Sequence, residues 1–299
     1  MTLQKKAAIV SSSTAGLLVL IKLTIGIMSG SVAVLASAID SVLDMIVSAF
    51  NYFAINKSEQ PASDMFNYGK GKIEALAAVI EGTIITISGL FIFYQAIKKA
   101  YLGDKATLLD TSITVMAMSL VITIALVLFL NHVAKKTGNM VIKSDALHYK
   151  TDVLSSGGIL ISLVLIQVTG IELIDSIAGI IISVYIIYSS YKIIKEGVYI
   201  LLDAALDDDI VEQIKNIIDS QKEISNYHYL KTRKSGHTNF VDVHLVFNEG
   251  ISLLRAHKIG DKVEDGIIKI NDKDTWIINA HLDPYDDSII NDQENKWHQ

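Results

Sequence analysis

The sequence predicts an α-helical membrane protein, six transmembrane helices followed by a small cytoplasmic α+β domain. Three observations carry this expectation. Of 299 residues, 51% are hydrophobic, the mean hydropathy is +0.40, and there are only two prolines, Pro61 and Pro284. That is too apolar for an ordinary soluble domain. Runs long enough to cross a bilayer, about 20 residues each, recur up to Tyr199, whereas charges become frequent after Asp203.

The apolar runs are Ala7–Met28, Val32–Ile55, Ile73–Ile97, Thr111–Val133, Leu147–Val168 and Ile174–Ile194. The basic start "MTLQKK" followed by an apolar run resembles a signal peptide, but the run continues to Ile27 and comparable spans follow, so a retained first helix is expected. Lysines set the orientation. Lys5 and Lys6 precede the first span; Lys57, Lys70 and Lys72 separate the second and third; Lys135, Lys136 and Lys143 separate the fourth and fifth; Lys192 and Lys195 end the sixth. Positive charge stays on the cytoplasmic side, so both termini are expected there. Lys98, Lys99 and Lys105 dissent, falling on the expected outer side.

Domains are therefore expected at 1–203 (membrane), 204–285 (cytoplasmic) and 286–299 (a polar tail). From Ala204 onward 11 Lys and Arg stand against 18 Asp and Glu, a net charge of −7. Such a surface repels phosphates, which excludes a nucleic-acid partner. "DDDIVEQIKNIIDS" opens with acids and continues with helical spacing; "NYHYLKTRKSG" and "NFVDVHLVFNEG" read as a hairpin; "SLLRAHKIGDKVEDGIIKI" is helical; "DTWIINAHLDP" is a last strand stopped by Pro284. The expected order is helix, strand, strand, helix, strand.

Chemistry begins with carboxylates inside oil. Asp40 and Asp44 stand four apart in the second span, one turn from each other on one helix face. The fifth span carries the comparable pair His148 and Asp152 in "SDALHYKTDVLSSGG". A mid-membrane carboxylate costs at least ~2.5 kcal/mol on insertion scales, so it should face a polar cavity and have a partner. Any one of these residues alone could cap a helix or bond within the bundle. Taken together, three carboxylates and an imidazole on facing helices repel unless a divalent cation or protons neutralise them. Four N/O donors suit Zn²⁺, and the imidazole weighs against Mg²⁺ and Ca²⁺, while Fe²⁺, Cd²⁺, Co²⁺ and Mn²⁺ are accepted by the same groups. Asp145 and Lys143 are expected to line a cytoplasmic vestibule, and Glu81 and Asp175 to be structural or proton-linked. With no cysteine in the chain, thiolate ligands and disulfides are excluded.

In the tail, His228 and His244 lie on the hairpin, His237 in its turn, His257 on the second helix and His281 on the last strand. His281 and Asp283, two apart on a strand, share a face, and His244 and His281 could meet across adjacent strands. A metal site is one reading and ordinary polar residues the other.

"DSVLD" with "HYKTD" resembles the central transport site of the cation diffusion facilitator family, and the likeness covers nearly the whole chain, most closely its bacterial zinc and ferrous-iron efflux members. The resemblance implies a ferredoxin-like, metallochaperone-like cytoplasmic domain, a homodimer in the bacterial inner membrane, and Asp40, Asp44, His148 and Asp152 as four transport ligands. It further implies a binuclear cytoplasmic site of His228, His244, His257, His281 and Asp283 at the dimer interface. "YGKGKIEAL" is similar to the family's start of the third helix, whose lysine, here Lys72, pairs with an aspartate after the sixth, here Asp203. One departure stands out: the metal-binding loop that zinc members carry before "YGKGK" has Ser63, Phe66 and Lys70 at the matching positions, and Asp64 and Asn67 alone do not rebuild it. The loop site is expected to be absent.

The function so implied is efflux of a divalent transition metal, Zn²⁺ or else Fe²⁺ or Cd²⁺, against protons across the bilayer. An intramembrane metalloenzyme is the competing class, but it would show an H-E-x-x-H helix or an open metal position, and neither motif nor vacancy is present in the sequence. A sensor that never transports is the third.

Overall fold

The computed structural model describes residues 1–29, 32–102, 110–171, 173–271 and 274–287. Six long helices come first: α1 Leu3–Ser29, α2 Val32–Ser58, α3 Lys72–Leu102, α4 Asp110–Thr137, α5 Met140–Thr169 and α6 Leu173–Leu201. Each is long and apolar enough to cross a membrane, and each expected span falls on one of them. Their outward faces carry Leu20, Ile39, Ile87, Val121, Ile161 and Ile181, each more than half exposed. Such faces suit hydrocarbon, since soluble monomers rarely show apolar patches of that extent.

Within this unit α1 packs along α2 and α4 along α5, while α2 and α5 also meet. The α4–α5 junction is short. Gly138 adopts φ +65°, a left-handed conformation that glycine takes without steric cost, and the Asn139 side chain then accepts from the Ile142 amide at 3.1 Å to cap α5. This junction fixes where His148 and Asp152 emerge two and three turns later. A small-residue core of Ala7, Ala8, Ala54, Ala77 and Ala146 lets the helices approach closely around Ile55, Leu130 and Tyr149. Lys99, one of the dissenting lysines, forms an ion pair with Asp175 at 2.6 Å, so its charge is neutralised locally. Lys105 lies outside the described residues.

The compact units divide between Val198 and Tyr199. The second contains α7 Asp208–Asp219, β1 Ile224–Ser235, β2 Thr238–Phe247, α8 Leu253–Ile268 and β3 Thr275–Asp283, the expected order. β1 and β2 form an antiparallel hairpin through a turn with Gly236 at φ +59°, and β3 returns parallel to β2 by way of α8. Val241, Val243, Leu245 and Phe247 alternate along β2 and bury against Ile214, Ile218, Ile259, Val263 and Ile267 of the two helices. The intervening β2 residues, with His281 and Asp283 of β3, therefore face the other side of the sheet. The polar tail expected from 286 begins differently: Asp286 accepts from Asn226 Nδ2 at 2.8 Å and is tied to β1. The remainder of that tail, 288–299, lies outside the described residues.

Candidate metal centres

In the membrane unit, α2 and α5 bring Asp44, His148 and Asp152 together, with one ligand atom of each lying within 4.8 Å of the others. His148 Nε2 is 3.1 Å from Asp44 Oδ1. Asp40 stands one turn away along α2, outside this trio, and lines the same polar cavity of about 220 Å³ with Asp44, Asp152, Ser119, Thr123 and Ser156. That space is large enough for an ion with several waters. Three donors thus meet, and the fourth expected one waits at the cavity wall.

A set of buried hydroxyls fixes the two helices beside the site. Tyr149, next to His148, shares a hydrogen bond of 2.8 Å with Ser48, which in turn shares one of 3.0 Å with Ser11 of α1. Deeper in the bundle, Asp145 is fully buried, so it lines no vestibule; Asn51 Nδ2 donates to Asp145 at 3.1 Å and to both oxygens of Glu81 at 3.3 Å. Ser144 also donates to Glu81. The reason is tertiary: Asp145 precedes His148 by three residues and so turns towards α2 and α3 rather than towards water. Lys143 pairs instead with Glu196 of α6.

Sequence reasoning passed over Lys22, in the last third of α1. Its ammonium donates to Ser41 Oγ at 2.8 Å and to the Ser37 carbonyl at 3.4 Å, and it lines the cavity with Asp40, Asp44 and Asp152. A lone lysine inside an apolar run was the available signal, by the same cost of burial that drew attention to the aspartates.

In the second unit the face of the sheet turned away from the helices gathers histidines. His228 and His244 pair across β1 and β2, with rings 4.8 Å apart, and His244 and His281 pair across β2 and β3, with rings 4.6 Å apart. Asp283 Oδ2 lies 3.0 Å from His244 Nδ1 and 3.3 Å from His228 Nε2, while its Oδ1 lies 3.1 Å from His281 Nε2. A β-bulge between His228 and Lys231 puts Tyr229 at φ +57°, an uncommon conformation for a bulky residue, and re-aims His228 across the sheet. Two expected ligands stand apart from this convergence. His257 is 69% exposed on α8 and lies 3.7 Å from Asp261, and His281 is 65% exposed and stands at the edge of the cluster, against the His244 ring and Asp283. A residue not foreseen joins instead: Asp287, whose Oδ1 is 3.1 Å from His228 Nε2. Four groups, His228, His244, Asp283 and Asp287, thereby place one ligand atom each within 4.8 Å of one another.

His237, in the hairpin turn, lies 3.7 Å from Asp274. The Asp274 carboxyl is partly buried, which would raise its pKa, but His237, Lys234 and Asn239 hold it below the usual carboxylate range.

Against known proteins, the profile described as "Cation efflux transmembrane domain" matches residues 8–202, and "Cation efflux protein, cytoplasmic domain" matches residues 206–285. The chain belongs to the cation diffusion facilitator family. Among curated relatives, Cation-efflux pump FieF of Escherichia fergusonii is 36% identical over 267 residues, 89% of each chain. The protein of the same name from Escherichia coli (strain K12 / DH10B) is likewise 36% identical, with 89% of each chain covered. This facilitator is accordingly a multi-pass cation-efflux transporter.

Against the family's metal-binding loop, this facilitator has a compact turn. Ser63 and Phe66 exchange backbone hydrogen bonds of 3.1 and 2.9 Å, and Lys70 Nζ sits 4.7 Å over the Phe66 ring. Asp203 of the second unit lies 3.5 Å from Arg233.

Proposed function

We propose that the chain is a homodimeric inner-membrane antiporter that exports a divalent transition metal, Zn²⁺ in preference, from the cytoplasm in exchange for protons. The observation that carries this reading is the convergence of Asp44, His148 and Asp152 between apolar helices, beside a polar cavity that both aspartates line. Two carboxylates and one imidazole offer lone pairs that a dication and protons both require, so the two occupy the site in turn and their movements couple. A hydrated cation entering the cavity exchanges water for these three donors, and Asp40, on the same wall, completes the set after a one-turn adjustment. Protonation of His148 and a carboxylate then releases it outward. The N/O donor set favours Zn²⁺ and also takes Fe²⁺ and Cd²⁺.

Lysine placement supports cytoplasmic termini. The cytoplasmic face of His228, His244 and Asp283 fits a resident metal, because His228 Nε2 is buried with no hydrogen-bond partner although two carboxylate oxygens approach it. With His257 and His281 it would tune the dimer to cytoplasmic metal. We assign Lys72 and Asp203 the interlock that relays this to the membrane unit, and we propose that the loop of Ser63, Phe66 and Lys70 holds no metal, since a lysine cation occupies it.

Flux into proteoliposomes tests the proposal. Asp44→Ala should abolish Zn²⁺-driven proton movement, and movement equal to that of the parent protein would sink antiport at this site. Competitive titration of Zn²⁺, Fe²⁺ and Cd²⁺, alongside His148→Asp, identifies the metal.

A further inference from the structure

The family resemblance accounts for His228, His244 and Asp283, but it does not account for Asp287. Pro284 ends β3, and Asn226 of β1 then holds Asp286 at 2.8 Å, so the chain turns back over the ligand-bearing face and delivers the next side chain onto it. Asp287 Oδ1 arrives 3.1 Å from His228 Nε2, and its side chain is 27% exposed.

The direction of these groups matters as much as their distance. His228 Nε2 is buried and makes no hydrogen bond, yet Asp287 Oδ1 is 3.1 Å away and Asp283 Oδ2 is 3.3 Å away. The oxygens are near enough to accept a proton from this nitrogen but are not in line for it. Such an arrangement arises when lone pairs aim at a common point between the atoms. Zn–N and Zn–O bonds of about 2.0–2.2 Å give a tetrahedron whose edges are about 3.3–3.6 Å. The separations here, 3.1 and 3.3 Å at His228 and 3.0 Å between His244 Nδ1 and Asp283 Oδ2, are a few tenths shorter or equal.

We propose that Asp287 is the fourth ligand of a metal centre completed within one protomer by His228, His244 and Asp283. Two imidazoles and two carboxylates form a neutral, four-coordinate shell around a dication, suited to Zn²⁺ and to Fe²⁺. With Asp287 in place there is no open position for water, so the ion is held as in a structural site and exchanges slowly. His281 and His257 lie outside this shell and remain available for a second ion. This inference rests on the reading of the cytoplasmic face as metal-binding.

The test uses the full-length protein with Asp44→Asn and Asp152→Asn silencing the membrane site. Zn²⁺ affinity and stoichiometry are measured by chelator competition, with ion exchange followed by ⁶⁵Zn²⁺ wash-out. Asp287→Ala should weaken the tightest cytoplasmic site at least tenfold, the scale on which even outer-shell partners matter, and speed wash-out. Asp287→His should restore binding, and Asp286→Ala should have a smaller effect. Because Asp287 follows the last strand and belongs to none of the helices or strands, the variants should keep the parent circular dichroism. If Asp287→Ala binds within twofold of the parent while His228→Ala loses the ion, the fourth-ligand proposal is overturned and the centre stands. If His228→Ala also binds normally, the metal reading of this face fails instead.

Discussion

Lys22→Met removes a positive charge from the wall of the membrane cavity while keeping the length of the side chain. The ammonium is anchored on Ser41, one residue after Asp40 and three before Asp44, so it stands roughly 7 Å from a cation held by Asp44, given the ~5–6 Å spacing of i,i+3 neighbours. At an effective dielectric of about 40 for a wet cavity, two unit charges at ~7 Å interact by ~1.2 kcal/mol, and a dication by ~2.4 kcal/mol. Loss of Lys22 should therefore tighten Zn²⁺ binding by ~2 kcal/mol, about thirtyfold. Isothermal titration at pH 8, where protons compete least, reads the affinity directly. Release becomes slower by the same cause, so proteoliposome turnover should fall although binding improves. An affinity that is unchanged or weaker would refute the argument that this ammonium acts on the site through its charge.

Three further outcomes follow from the packing. Asn51→Leu leaves Glu81 and Asp145 buried without their shared donor and should lower stability by ~3 kcal/mol or more, read as thermal inactivation in detergent; Glu81→Gln in the same chain should return part of it. Gly197→Ala would set a Cβ 2.6 Å from Val79 Cγ2 and 3.1 Å from the Ala75 carbonyl, costing ~1–3 kcal/mol by the same assay, with Val79→Ala relieving only the first contact. The lowered pKa of Asp274 adds stability that is fully present above the ordinary aspartate value and lost as pH falls through the folded value. Asp274→Asn should thus lower the thermal midpoint at pH 7, by an amount that shrinks as the pH falls below the ordinary aspartate value, as followed by circular dichroism across an acid series.

The residues legible in the sequence were those whose partners lie on the same element. Helical spacing aligned His148 with Asp152, strand alternation put His281 and Asp283 on one face, and the cost of a carboxylate in oil drew both membrane pairs together before any contact was known. Asp40 shows where that logic ends: a spacing of four places it on the right face but a full turn up the axis from the trio. The lone lysine in the first apolar run marked Lys22, but its partners depend on α1 lying along α2; the depth of Asp145 is set by Asn51 and Glu81 on two other helices. The aim of His228 depends on a bulge at Tyr229, a residue that gives no sign of a positive φ, and Asp287 depends on the chain doubling back after Pro284.

The parallel alignment of β2 with β3 sets His244 opposite His281 and Val246 opposite Asp283. A slip of one residue would turn His281 and Asp283 under the helices and bring Ala280 and Leu282 to the ligand-bearing face. Parallel pairs joined by a crossover are among the slower contacts to form, which leaves time for misaligned intermediates. An ion that binds only the correct alignment adds RT ln(1 + [M]/Kd) to that state and nothing to its rivals. Cytoplasmic metal would then proofread the folding of this domain, favouring the molecules whose strands have found their register.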